Sequence, residues 1–204
     1  EISCSLVGSE MCIRDRRKAA ERNCAIAGSV AVCENGNYYN RFYFVHPDGA
    51  VQHYDKKHLF TFGGEHKRFT AGTERVVVNF RGVRILLEVC YDLRFPVWSR
   101  NLGDYDMILY VASWPTPRVD AWSALLRARA IENQCYVAGV NRMGTDPACE
   151  YSGGSAIIDP YGKTIAECPW SRESAVSADI DMEALQAFRK KFPVLDDADP
   201  FTLI

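Results

Sequence analysis

The sequence lacks any C-x-x-C pair, although it carries eight cysteines, at positions 4, 12, 24, 33, 90, 135, 149 and 168. Thiols scattered in this way point to neither a zinc site nor a disulfide framework, so no metal or other cofactor is expected, and a reducing cytoplasm fits best. No apolar run approaches the length needed to span a bilayer. The net charge of -2 leaves no basic field for nucleic acid or an anionic membrane surface. Repeats and low-complexity linkers are also missing. What remains, 204 residues with 48% hydrophobic and 25% charged side chains, is one soluble domain large enough to bury a core.

From Asn23 onward the pattern is orderly. Cys24 to Cys33 is a small-apolar run that reads as a buried strand, and Glu34-Asn35-Gly36-Asn37 is a hairpin turn of the Asn-Gly kind. Tyr39 to His46 returns as a strand and Pro47-Asp48-Gly49 turns into Ala50 to Tyr54, which completes an antiparallel meander. Val76 to Phe80, Val83 to Val89, Met107 to Ala112 and Cys135 to Val140 read as further strands. Between them lie a short helix over Phe95 to Leu102 and a longer one over Val119 to Asn133, whose apolar stripe is Trp122, Leu125, Leu126 and Ala130. Its Arg127, Arg129 and Glu132 read as a structural charge network. Asn141 to Gly154 is turn-rich. A hairpin around Asp159-Pro160-Tyr161-Gly162, a last strand over Ser174 to Asp179 and a helix from Met182 to Lys191, stopped by Pro193, close the chain. Strands in meanders and in βα units predict α/β layers with a mixed sheet.

Leu86 to Pro96 (LLEVCYDLRFP) is the stretch with chemistry in it. Strand character ends in Cys90, then a polar turn, then a Pro-led segment. A thiol at a strand end stands clear of the sheet, where the first N–H groups of a following helix would favour a thiolate and an oxyanion. A buried core cysteine is the plainer reading. A lysine of Asp55-Lys56-Lys57-His58, beside Phe60 and Phe62, can lower the thiol's pKa and stabilise an oxyanion, the plainer reading being a solvated basic turn, and Glu65 in the next loop can orient that lysine or be an ordinary surface acid. Ser113-Trp114-Pro115-Thr116-Pro117-Arg118 is a rigid loop at the end of an apolar strand, where open α/β sheets hold ligands.

The first sixteen residues read differently. Leu6 to Asp15 (LVGSEMCIRD) resembles the translation of a sequencing-library adapter and has neither signal-peptide layout nor helical or strand periodicity. The expectation is an artefactual segment over 1–16 joined to an N-terminally incomplete domain over 17–204.

YDKKHLF (Tyr54 to Phe60), EVCYDLRFP (Glu88 to Pro96), and RARAIENQCYVAGVNRMG (Arg127 to Gly144) followed by GGSAIIDPYGK together resemble the nitrilase superfamily of carbon–nitrogen hydrolases. The likeness runs from about Asn23 to Ile204 and is nearest to the omega-amidase branch, through VCYDLRFPVWSRN, the WPxPR loop and the KFP ending with its acidic tail. The resemblance implies a four-layer α-β-β-α sandwich, here lacking its first strand and helix, that pairs into homodimers. It also implies a Glu-Lys-Cys triad with no cofactor, acting on a small-molecule amide. Cys90 is then the nucleophile, Lys56 with the backbone N–H of Tyr91 the oxyanion site, and Glu65 the supporting glutamate. The implied substrates are 2-oxoglutaramate or 2-oxosuccinamate. Their carboxylate needs a cation, for which Arg118 or Arg142 is expected, with Trp114 as an apolar wall.

One triad member has no counterpart. The family's general base belongs to an N-terminal Pro-Glu segment, and neither Glu1 nor Glu10 has that context, so the chain as given is expected to be inactive or nearly so. Glu88 departs from the apolar or small residue the family leads one to expect. Strand alternation puts it on the face of Cys90. Competing readings are a Cys-His peptidase using His58, another Cys-dependent amidohydrolase, a catalytically dead scaffold or interaction module of the same fold, and a zinc protein.

Overall fold

The computed structural model describes residues 7–202. Three strands, β1 (Ile26–Glu34), β2 (Asn37–Val45) and β3 (Val51–Asp55), form the antiparallel meander in the order expected. The β1–β2 turn has Asn35 at φ 50 and Gly36 at φ 80, the paired left-handed residues that an Asn-Gly hairpin needs. A second, six-stranded sheet combines β4 (Val77–Phe80), β5 (Val83–Val89), β6 (Met107–Ala112), β7 (Tyr136–Asn141), β10 (Ala156–Ile158) and β11 (Thr164–Glu167), in the order β11-β10-β7-β6-β5-β4. β5, β6 and β7 are parallel, and the flanking pairs are antiparallel, so the sheet is mixed as expected.

Alternation along the strands separates two cores. Phe42, Phe44 and Tyr54 of the meander pack against Val78, Ile85, Leu87 and Val89 of the larger sheet, with Trp98 beside them. On that sheet's other face Leu86, Ile108, Tyr110 and Val137 meet Trp122, Leu126 and Ala130 of helix α3 (Val119–Asn133). These are the helix positions the apolar stripe selects. The fit is close: a Cβ at Gly139 of β7 would lie 2.6 Å from Leu126 Cδ1. Helix α4 (Met182–Lys191) is tied on by Arg189, which donates to Gln134 O, Tyr105 O and Asp106. Within α3, Arg129 is buried and donates to Glu132 and to Leu93 O, the structural role expected of it. The meander on one face of the larger sheet and α3 on the other make the mixed α/β fold expected. Among the described residues no helix is long and apolar enough to cross a membrane.

Several local expectations are corrected. Helix α1 (Val7–Arg22) occupies a segment expected to have no regular structure before Asn23; it lies against β1 and β2 and buries Ala19. Its second half, Arg16 to Arg22, is rich in Arg, Lys, Ala and Glu, which favour helix without any apolar periodicity. Residues 1–6 of the segment expected to be artefactual lie outside the described residues. The helix expected over Phe95 to Leu102 is one turn, α2 (Pro96–Ser99), preceded by a 3-10 turn over Cys90–Arg94. Asn101 ends it by spending its amide on Tyr105 O and Asn133 O instead of continuing the helix. Ser174 to Asp179 is not a strand; Ser174 to Ser177 are exposed and no sheet edge pairs with them. The turn-rich Asn141 to Gly154 contains a small hairpin, β8 (Met143–Thr145) with β9 (Glu150–Ser152).

Candidate active site

The C-terminal ends of the three parallel strands converge, as ligand sites of open α/β sheets do. β5 runs into Cys90, β6 runs into Ser113 and β7 ends at Asn141, and these three residues line one cavity of about 470 Å³. Lys56, Glu65, Tyr91, Trp114, Arg118 and Arg142 line it too, so every residue that the sequence singles out for the site is brought together. Phe60 joins them, whereas Phe62 points away and is 88% exposed, which corrects its placement beside the lysine.

Cys90 is set by backbone conformation. Its φ of 48 lies in the left-handed region, uncommon and strained for a residue with a Cβ. The strand's two-residue period breaks there. Glu88 consequently does not share the surroundings of Cys90, as alternation would have it. It is fully buried, accepts the Ser99 hydroxyl hydrogen at 2.8 Å and is absent from the cavity wall. Burial and the Asp92 charge push its carboxyl up to about 8. The Cys90 thiol meets Ser113 O at 3.9 Å. Burial raises its pKa above the ordinary value although the Lys56 ammonium pulls the other way, so the lysine moderates the thiol's pKa without lowering it outright.

Lys56 is 3% exposed and its Nζ lies 2.6 Å from Glu65 Oε2. Glu65 also accepts the Phe60 N–H at 2.6 Å and the Asn40 amide at 3.1 Å. Burial alone would push this carboxyl up. Lys56, the Phe60 N–H and Asn40 outweigh it and hold Glu65 below the usual carboxylate range. The loop carrying Glu65 is closed against Lys56 by Gly72, whose N–H donates to Lys56 O at 2.9 Å. Only glycine fits, because a Cβ there would lie 2.0 Å from Asp55 O.

Sequence reasoning missed Asp92, although it stands inside the cysteine motif. Fully buried, it accepts the Val89 N–H at 3.0 Å, the Tyr54 hydroxyl at 2.8 Å and the His58 N–H at 2.9 Å, with His58 Nδ1 at 2.8 Å. His58 is thereby engaged away from Cys90. Its ring stacks on Phe95 at 3.7 Å and does not line the cavity. Arg94 was missed as well. Its guanidinium lies over the Trp114 ring at 5.0 Å, and that of Arg118 lies over Phe60 at 5.4 Å. Both line the cavity, and neither guanidinium has a hydrogen bond or ion pair among the described residues. Arg142 is partly engaged, over Tyr151 at 4.3 Å and 3.8 Å from Asp146. Among the described residues no group of three or more His, Cys, Asp or Glu is arranged to hold a metal ion.

Residues 9–190 match the carbon-nitrogen hydrolase family. The chain belongs to that family, the nitrilase superfamily, in its omega-amidase branch. It is an amidase of this superfamily. The omega-amidase YafV of Escherichia coli K12 is 54% identical over 187 residues, 91% of this chain and 73% of that protein. The 2-oxoglutaramate amidase of Bacillus subtilis is 42% identical over 175 residues, 84% of this chain and 67% of that protein. A CN-hydrolase superfamily protein of Xanthomonas campestris, XC1258, solved with an arsenic adduct in its active site, has the same fold. Its TM-score is 0.92 at 46% identity, covering 95% of this carbon-nitrogen hydrolase chain and 76% of its own.

Proposed function

We propose that the cavity hydrolyses the ω-amide of a 2-oxo diacid, 2-oxoglutaramate or 2-oxosuccinamate, through a thioester on Cys90. The observation that carries this reading is the meeting of Cys90 and the Lys56–Glu65 pair with two unpartnered guanidinium groups in one cavity. Relatives that bear the names omega-amidase and 2-oxoglutaramate amidase support the same substrate class.

The sulfur, once deprotonated, adds to the amide carbonyl. Lys56 and the Tyr91 N–H receive the oxyanion, while Glu65 holds the lysine in place. Collapse breaks the C–N bond, ammonia leaves with the proton taken from the thiol, and water then cleaves the thioester to the acid. The substrate's carboxylate is met by arginine, with Trp114 as the wall beside it.

A general base is needed for both proton transfers. Glu65 is the cavity's single carboxylate among the described residues, and both of its oxygens are committed to Lys56, Phe60 and Asn40. This chain is therefore expected to turn over very slowly or not at all. The same observation favours the second reading, a catalytically silent scaffold of the same fold. The homodimer belongs to the proposal and is tested by solution mass. The cytoplasmic setting belongs to it too, supported by eight scattered cysteines with no C-x-x-C pair among them.

The experiment is incubation with 2-oxoglutaramate, following ammonia and the intact mass of the protein. The expected result is slow acylation at Cys90 that Cys90→Ser and Lys56→Ala both abolish and His58→Ala leaves in place. Ammonia release that survives Cys90→Ser would overturn the mechanism. Loss on His58→Ala with retention on Lys56→Ala would favour the Cys-His reading. Rapid turnover that still depends on Cys90 would overturn only the expectation of inactivity.

A further inference from the structure

Asn141 ends β7 beside the last residue of β6, Ala112, and is 6% exposed. Its side chain makes three hydrogen bonds and leaves none of its groups idle. Oδ1 accepts the Trp114 N–H at 2.7 Å, and Nδ2 donates to Trp114 O at 3.0 Å and to Gly153 O at 2.7 Å. One amide thus grips both polar groups of Trp114's backbone and ties them to the glycine pair that follows β9. That pair is fixed from the other side as well, since Trp122 Nε1–H donates to Gly154 O at 2.8 Å.

What hangs from this grip is the active-site wall. Ser113, immediately before Trp114, presents the carbonyl that the Cys90 thiol meets at 3.9 Å. The Trp114 ring carries the Arg94 guanidinium, and its indole N–H donates to Arg118 O at 2.7 Å. A loop with two prolines, touching the short β9 besides, would otherwise have to hold the nucleophile's partner and both guanidiniums by itself. We propose that Asn141 is a positioning residue. By clamping the Trp114 backbone it sets the Ser113 carbonyl against Cys90 and the Arg94 and Arg118 cations around the substrate's carboxylate. The inference rests on the reading of Cys90 as nucleophile and of the cavity as a site for a carboxylate-bearing amide.

The test does not require turnover. Cys90 in the full chain is alkylated with iodoacetamide, with and without 2-oxoglutarate as the dicarboxylate probe, and each cysteine is read by peptide mass. In the native chain 2-oxoglutarate protects Cys90. In Asn141→Ala the Cys90 rate rises several-fold as the Ser113 carbonyl loosens. The half-protecting concentration rises by about tenfold, as loss of one or two hydrogen bonds implies. Cys24 and Cys149, half-buried elsewhere in the chain, keep their rates. Asn141→Gln keeps both the acceptor and the donors of the amide, one methylene out of place, so it falls between the two; it also decides the matter if the alanine variant does not fold. A folded variant in which Cys90 rate and protection are both unchanged overturns the proposal, and so does equal acceleration at Cys24 and Cys149, which would mean general loosening. If the native chain is not protected at all, the substrate reading fails and Asn141 is judged on the Cys90 rate alone.

Discussion

Tyr54 donates its phenol hydrogen to the buried Asp92 carboxylate at 2.8 Å, and this bond joins the strand that delivers Lys56 to the turn that carries Cys90. The junction is reinforced on both sides. Lys57 N–H and Trp98 Nε1–H donate to the Tyr54 oxygen at 3.0 and 3.2 Å, while Val89 N–H and His58 N–H donate to Asp92. Burial and the Asp92 charge hold the Tyr54 phenol well above its ordinary pKa, so it stays a donor. The segments that carry Lys56 and Cys90 are therefore one hydrogen-bonded unit.

Asp92→Asn is expected to break that unit. One carboxylate oxygen becomes an NH2 that faces donors and leaves them without an acceptor, a loss of about 2 to 4 kcal/mol. Urea unfolding should register it, with Cys90 alkylation losing its selectivity at the same time. Tyr54→Phe, which removes one hydroxyl and keeps the carboxylate, should cost less than Asp92→Asn. The reverse order would show that Asp92 is not the hub.

Burial raises the pKa of the Cys90 thiol, and the Lys56 ammonium opposes that rise. Replacing it by methionine removes the cation and leaves Glu65 facing the thiol. The pH profile of Cys90 alkylation should then move to higher pH, with the rate near neutrality falling about tenfold for each unit moved. A profile that stays in place would mean that Lys56 acts only on the oxyanion.

Glu88 gives the fold a pH dependence of its own. Its folded pKa of about 8 exceeds the ordinary 4.5 because burial and the Asp92 charge disfavour the ionised form, and Oε1 has no hydrogen-bond partner among the described residues. Below the unfolded value the carboxyl is protonated in both states and costs nothing. Between that value and about 8 only the unfolded chain ionises, so stability falls as pH rises. Above this window no further loss comes from Glu88. Glu88→Gln should remove the slope and raise stability at alkaline pH by on the order of a few kcal/mol. Denaturant titrations of both forms from pH 5 to 9 check this, and parallel curves would refute it.

The sequence exposes what depends on local pattern. The bounds of Val83–Val89, Met107–Ala112, Val119–Asn133 and Met182–Lys191 follow from apolar periodicity and caps, and the structure reproduces them. Cys90, Lys56 and Glu65 are legible because each sits in a motif with a chemical reason for its residue type. Asp92 and Asn141 are hidden for a different reason. Their partners, Tyr54 and Gly153 among them, are fixed by sheet order, and nothing in the local sequence announces that order. The Ser174 to Asp179 segment fails conversely, since strand-like residues form no strand without an edge to pair with. The position of Glu88 was misjudged because two-residue alternation stops where Cys90 turns left-handed.

That left-handed turn has a cost that substitution can measure. Any side chain with a Cβ is strained at the φ of 48 that Cys90 adopts, whereas glycine is not. In an ordinary strand glycine would be the less stable choice, because it loses more chain entropy on folding. Here the native conformation reverses the order. Cys90→Gly should be more stable than Cys90→Ala by about 0.5 to 1 kcal/mol, although both lose the thiol and all acylation. Paired urea or thermal unfolding of the two variants decides the point. If alanine proves equal or better, the turn is relaxed and its conformation costs the fold nothing. If glycine wins, the chain gives up stability at one position to aim its sulfur into the cavity.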